Sequence, residues 1–222
     1  MPRFKILLFI FALLAPLMFL NRALAETQSE FDSLQNAKLH TREEFVHGMA
    51  NMTLAVLQDQ KKSLEDRRVV LRQCFGWSLD IDWIAKFTLG RMWNVATPDQ
   101  RERYTKEYRT FLTESYVSNY AESQEKRVKD IKILGIQNGE DNDFFVNTDT
   151  LLADREDVKV DYRVSEHEGK YKVIDIIIEK VSLLATHRSQ FSEIAANQGV
   201  EAAIAKLHAL NSGKSDINVS MR

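Results

Sequence analysis

Between Val128 and Ile178 the chain offers four strand-like segments in succession, with no room for a helix between any two of them. They run from Val128 to Gln137, Asp143 to Leu152, Asp157 to Ser165 and Lys170 to Ile178, separated by turn signals that include Asn138-Gly139 and Glu168-Gly169. Parallel neighbours need crossovers of a dozen residues or more, so connections this short imply an antiparallel sheet built from hairpins. The third segment, DVKVDYRV, alternates cleanly, with Val158, Val160, Tyr162 and Val164 on one face and Lys159, Asp161 and Arg163 on the other. The fourth, within KVIDIIIEKVSLL, begins to alternate and then stops. Ile176, Ile177 and Ile178 are consecutive, and because strand side chains point to opposite faces in turn, both faces become apolar there. One apolar face serves an ordinary core, and the second needs its own cover.

Helical periodicity surrounds this block. Thr41-Arg42-Glu43-Glu44 has the form of a capping box, and Phe45, Met49, Met52 and Val56 follow it as an apolar stripe. A second helix is expected from about Leu64 to Phe75, presenting Leu64, Leu71, Cys74 and Phe75. A third is expected over SLDIDWIAKFTLGRMW, capped by Asp80. Thr97-Pro98-Asp99-Gln100 joins an N-cap threonine, a proline at the first helical position and a glutamine at N3, and it starts a long helix to about Ser123. Two helices, LLATHRSQFSEIAANQ and VEAAIAKLHAL, close the chain before a polar tail. Helices, then an antiparallel sheet, then helices is an α+β pattern. A curved sheet of about four strands packed against the long helix, with further helices at both ends, would leave room for an apolar cavity between them.

The first 25 residues carry basic Arg3 and Lys5, an apolar run from Ile6 to Leu20 and Ala23-Leu24-Ala25, the layout of a signal peptide cut after Ala25. An uncleaved anchor would need roughly 20 uninterrupted apolar residues, and Pro16 breaks this run. The expected organisation is therefore a signal peptide over 1–25, a loose leader over 26–40, one domain over 41–210 and a polar tail over 211–222. The signal peptide takes Arg3, Lys5 and Arg22 from the 30 basic residues and nothing from the 32 acidic ones, so the net charge goes from −2 to −5. Phosphate-backbone binding depends on a basic surface, which argues against a nucleic-acid partner. Cys74 is the only cysteine and cannot form an internal disulfide, so the exported chain has to stand on its core.

Searches for reaction chemistry return little. Gly76-Trp77-Ser78-Leu79-Asp80 lacks the second glycine of a nucleophile elbow, there is no H-E-x-x-H or C-x-x-C, and His40, His47, His167, His187 and His208 do not fall at metal-ligand spacing. Asp175 shares a strand face with Val173 and Ile177, where a carboxylate of raised pKa could serve as a general base in an isomerase-like enzyme. Pairing with a cross-strand cation such as Arg163, or a wet rim, is the more ordinary fate and the one expected. No metal and no resident cofactor are implied.

Four blocks, LDIDWIAKFTLGRMWNVATPDQRERY, VKVDYRV, GKYKVIDIIIEKVSLLATHRSQF and GVEAAIAKL, stand in an order and spacing that resemble the MlaC family, periplasmic phospholipid-binding proteins also called toluene-tolerance proteins. The resemblance runs from about Thr41 to Leu210. It departs at Lys180, where family members often carry glycine, and at Thr186-His187, where they often carry asparagine-tyrosine. It implies a soluble, non-enzymatic periplasmic carrier of phospholipid, with the lipid as cargo. The implied partners are an outer-membrane lipoprotein–porin complex and an inner-membrane ABC transporter with its MCE-type substrate-binding ring. A hopanoid or another hydrophobic ligand is the alternative cargo, and a monomer is expected. The expected pocket residues are Trp83, Phe87, Trp93, Tyr108, Phe111, Leu112 and Tyr116 from helices, with Val146, Val160, Tyr162, Ile174, Ile176, Ile178, Val181 and Leu183 from the sheet and its exit. Arg188 is the candidate for a head-group rim.

Overall fold

The computed structural model describes residues 41–59, 63–122, 128–153 and 156–213, and for 116 and 118–122 the backbone alone. The expected signal peptide, the expected leader to residue 40 and the tail from 214 lie outside the described residues.

Helix α1 spans Arg42–Gln58. Its capping box forms as the sequence dictates: Glu44 N–H donates to Thr41 Oγ1 (3.1 Å) and Thr41 N–H to Glu44 Oε2 (3.1 Å). Helix α2 spans Leu64–Ser78 and is capped by Ser63. It continues three residues past the expected end, through Gly76, to a C-cap at Leu79. Helix α3, Ile81–Leu89, starts where Asp80 accepts from the Trp83 N–H at 3.0 Å. Gly90 ends it at φ +62°, in the left-handed region, so Met92–Val95 becomes a separate turn, α4, rather than the tail of α3. Helix α5, Pro98–Glu122, has the expected reciprocal bonds between Thr97 and Gln100 (3.0 and 3.2 Å).

The sheet comprises β1 (Val128–Asn138), β2 (Asp143–Leu152), β3 (Val158–His167), β4 (Lys170–Ile178) and a two-residue β5 (Val181–Ser182), in the order β1-β2-β3-β4-β5 with every pairing antiparallel. The α+β class and the antiparallel meander are those the sequence implies. Glu168 and Gly169 both take positive φ in the β3–β4 hairpin, the geometry whose twist suits a two-residue turn. In the short β4–β5 turn Glu179 (φ +47°) and Lys180 (φ +68°) do the same. A glycine adopts that conformation without strain and a lysine does not, which gives the family's glycine at this position a physical reason.

Helix α6, Leu183–Gln198, and helix α7, Val200–Asn211, are joined by Gly199 at φ +88°. Helix α5 packs chiefly on α7, α2 and α3, while α1 lies along β1 and α6 lies on β4. The strand apolar on both faces is therefore sandwiched. Ile174 and Ile176 are buried, and β4 is covered on one side by α6 and is tied to the start of α3 by the bond from Asp80 N–H to Val173 O (3.0 Å).

Candidate functional site

Two clefts open against β4. The larger lies between the sheet on one side and α1 and α2 on the other. Helix α1 contributes Val46, Met49, Ala50, Met52 and Thr53 to its wall, and α2 contributes Leu71, Cys74, Phe75 and Ser78, followed by Leu79. The sheet supplies Ile131, Ile133, Val146, Thr148, Tyr162, Val173 and Ile176. The space free of protein atoms is about 690 Å³, its open mouth included. The enclosed part of the cleft is narrow, and most of that space lies toward its open mouth.

Its lining has no charged side chain among the described residues. The hydroxyls on it serve the backbone: Thr53 Oγ1 donates to Met49 O (2.9 Å) and Thr148 Oγ1 to Val160 O (2.5 Å). Burial pushes the Cys74 thiol up to about 12, so it is an uncharged, unreactive part of the wall. At the α1 N-terminal end Phe45 meets Trp77 (5.7 Å between ring centroids) and Tyr171 (5.6 Å), and Tyr171 meets Phe144 (5.8 Å). These rings wall off that end.

The smaller cleft, about 270 Å³, is bounded by Leu79, Ile84, Tyr108, Leu112, Ile174, Asp175, Ile176, Leu183, Leu184 and His187. It is where the long helix α5 reaches the sheet. Asp175 does not pair with Arg163, its register partner, whose guanidinium binds Asp143 at 2.7 Å. Asp175 instead accepts from Ser182 Oγ (2.6 Å) and from the Leu184 N–H (3.0 Å), fixing the start of α6. Desolvation raises its pKa, and the bonds from Ser182 and Leu184 oppose that rise. With both oxygens engaged, this carboxylate is a structural cap. His187 is buried with its Nδ1 2.9 Å from Tyr108 OH, and desolvation pulls its pKa down to about 4, so it stays neutral near pH 7.

The structure distributes the sequence-derived candidates over several places. Val146, Tyr162 and Ile176 line the larger cleft; Tyr108, Leu112, Ile174, Ile176 and Leu183 line the smaller one. Phe111 is buried against Phe191 and His187. Trp83 and Phe87 stack on each other at 5.1 Å, half-buried on α3, and Trp93 lies under the Arg101 guanidinium. Val160 is buried, Ile178 is half-buried and Val181 is exposed on β5. The Tyr116 side chain lies outside the described residues. Arg188 donates to Phe87 O (2.7 Å) and sits 4.3 Å over the Phe87 ring, so its contacts are with α3. The pocket anticipated between the long helix and the sheet thus corresponds to the smaller cleft, while the helical wall of the larger one is α1 and α2. The signal for that wall was present in the sequence as the stripes Phe45-Met49-Met52-Val56 and Leu71-Cys74-Phe75, which read as ordinary core.

The family model described as MlaC protein matches residues 47–209, beginning within α1 and ending within α7. The chain belongs to the MlaC family. The match spans all five strands, the smaller cleft and all of the larger one except Val46. Among solved structures, the MlaC-type fold is shared with the phospholipid-binding protein from Ralstonia solanacearum, which was solved in complex with a phospholipid. The TM-score is 0.65 and the identity 21 %, over 77 % of this chain and 96 % of that one. No curated protein matches the sequence. No helix among the described residues is long and apolar enough to cross a membrane.

Proposed function

We propose that this MlaC-family chain binds phospholipid in the cleft beneath α1 and α2. We further propose that it carries the lipid through the periplasm, between an outer-membrane lipoprotein–porin complex and an inner-membrane ABC transporter with its MCE-type ring. The observation that carries the reading is the uncharged cleft itself: apolar side chains from two helices and four strands converge on space they do not fill. The phospholipid bound by the Ralstonia solanacearum protein of similar fold supports the cargo class. Each acyl CH₂ brought into water costs about 0.8 kcal/mol, so two chains with roughly 30 such groups would cost about 25 kcal/mol to move bare. A carrier has to enclose the tails without binding them more tightly than a membrane does.

On this reading, loading proceeds by outward movement of α1. Helix α1 is tied to the sheet by polar bonds near its ends: Gln58 Nε2 to Lys129 O (2.8 Å) at one, and Arg42 to Asn138 Oδ1 (2.7 Å) and Glu166 Oε2 (3.4 Å) at the other. Between these ties its contacts are apolar, so acyl chains can replace them as α1 moves outward, with little change in buried apolar area. Binding of this kind needs no catalytic group, and the two bonds held by Asp175 fit a structural role.

The test is native mass spectrometry of the mature protein, purified from a bacterial periplasm without detergent, with the released ligand identified after solvent extraction. A stoichiometric adduct of phospholipid mass is expected. A hopanoid adduct would keep the carrier and change its cargo. A bare mass together with failure to take lipid from vesicles would remove the carrier reading.

A further inference from the structure

Helix α2 carries three arginines within six residues, and their environments differ. Arg68 pairs with Glu65 (3.6 Å), and Arg72 bridges Glu65 (3.2 Å) and Glu114 (2.8 Å). Arg67 faces inward and is only 9 % exposed. Its Nε is buried without a hydrogen-bond partner, and among the described residues no ion pair to it forms. Arg67, Leu71, Cys74 and Ser78 stand at i, i+4, i+7 and i+11, on one face of the helix, and the last three line the larger cleft. Arg67 therefore stands on the helix face that lines the cleft, one turn beyond Leu71. It does so at the opposite end of α2 from Trp77, about 15 Å away at 1.5 Å per residue, so the ring cluster and the cation bracket the uncharged wall between them.

A buried guanidinium Nε with no partner forfeits a hydrogen bond, which calls for a reason. Arginine presents five N–H donors in a planar fork that matches phosphate or carboxylate oxygens. We propose that Arg67 is the anion anchor of the cleft, receiving the phosphate of a phospholipid whose tails run along Leu71 and Cys74 toward the Phe45–Trp77 end. The inference rests on the carrier reading and sharpens it: the cargo has to bear an anionic group at its glycerol end, and a neutral lipid with identical tails is rejected. The rival role is packing alone, with the stem of Arg67 covering apolar surface.

The experiment uses phosphatidylglycerol vesicles containing a minor fraction of diacylglycerol with the same acyl chains. Wild type, Arg67→Met, Arg67→Gln and Arg67→Lys are incubated with them, and the lipid recovered on soluble protein is compared with the vesicle composition. Wild type is expected to enrich phosphatidylglycerol over diacylglycerol about tenfold or more, the range of a hydrogen bond to an ionised group. Arg67→Met and Arg67→Gln are expected to lose that enrichment while still loading diacylglycerol, and Arg67→Lys to recover part of it. In the lipid-free protein Arg67→Met is expected to melt no lower than wild type, because an orphaned Nε donor is gone, whereas a packing role predicts a lower melting temperature. Wild-type enrichment retained in Arg67→Met or Arg67→Gln overturns the anchor and leaves the carrier standing. Wild type that takes up no lipid removes the carrier and the anchor together. Inorganic phosphate that raises the melting temperature of wild type but not of Arg67→Met, and blocks phosphatidylglycerol uptake, would assign Arg67 to free phosphate and overturn the lipid assignment.

Discussion

Around Phe191 aromatic rings pack against one another, whereas beneath α1 apolar side chains leave the larger cleft. The Phe191 ring meets Tyr104, Tyr108, Phe111 and His187, with centroids between 5.6 and 6.4 Å away. The polar atoms in that cluster are paired as well, Tyr104 OH with Thr88 Oγ1 at 3.0 Å and Tyr108 OH with His187 Nδ1 at 2.9 Å. The wall beneath α1 is mostly methionine, leucine, isoleucine and valine, with Phe75 and Tyr162 among them, and these side chains face one another across unfilled space. The two regions have similar apolar character and opposite completeness. Apolar surface alone does not mark a ligand site; missing partner atoms do, since a lining without neighbours forfeits the dispersion contacts that a ligand can restore.

Substitutions separate the two regions. Phe191→Ala should have the largest effect on stability, a loss of about 3–5 kcal/mol, because the filled cluster cannot collapse onto the hole; chemical denaturation reads it. A loss below 1 kcal/mol would mean that the cluster is as loosely filled as the cleft.

The next effect is pH-dependent. His187 has its pKa lowered to about 4 from 6.5 by burial, so the folded state binds fewer protons than the unfolded chain between those values. Its contribution is present in full above pH 6.5, falls as pH drops through about 4 and is gone below that. From the size of the shift it amounts to about 3 kcal/mol. Acid unfolding of wild type and His187→Phe, followed by circular dichroism, should show this slope in the first and not in the second.

Overpacking gives a matched pair. Ala85 is fully buried among the helices, so Ala85→Phe should cost about 1–3 kcal/mol or more. Ala50 faces the cleft, and Ala50→Phe should cost under about 1 kcal/mol because its ring has somewhere to go. The same variant should nevertheless lose most of its lipid uptake from vesicles, since it occupies the cargo's place. Equal stability losses in the two variants would contradict the difference in packing drawn here.

The smallest effect is a gain. Lys180→Gly relieves a residue held at φ +68° and should stabilise the fold by up to about 1 kcal/mol, measured as a small rise in melting temperature with lipid uptake unchanged.

Local rules carried much of the architecture. The Thr41 and Thr97 caps, the four strand segments and the two closing helices could be read because each depends on residues within a few positions of one another. The helix break at Gly90 was less legible, since a glycine there is decisive only once its positive φ is known. Which apolar stripe faces a void depends on long-range packing, and so the larger cleft was the least legible part. Met49, Met52, Leu71 and Cys74 carry the same periodic signal as Tyr104, Tyr108, Phe111 and Phe191, and periodicity says which face is buried, not whether that face is filled. The two arginines show the same limit. Arg188 follows Thr186-His187 in a block that resembles the family and turned out to be bound to Phe87, while Arg67 lies in a run of charged residues that gives no hint of its burial.

The most direct measurement is photo-crosslinking with a phospholipid that carries a diazirine in one acyl chain, followed by peptide mapping. The account predicts that labelled residues fall on α1, α2 and the strand residues facing them, around Met52, Leu71, Cys74 and Ile133. Labelling concentrated instead on α5 and α6, around Tyr108, Leu112 and His187, would contradict it and make the smaller cleft the site of the cargo.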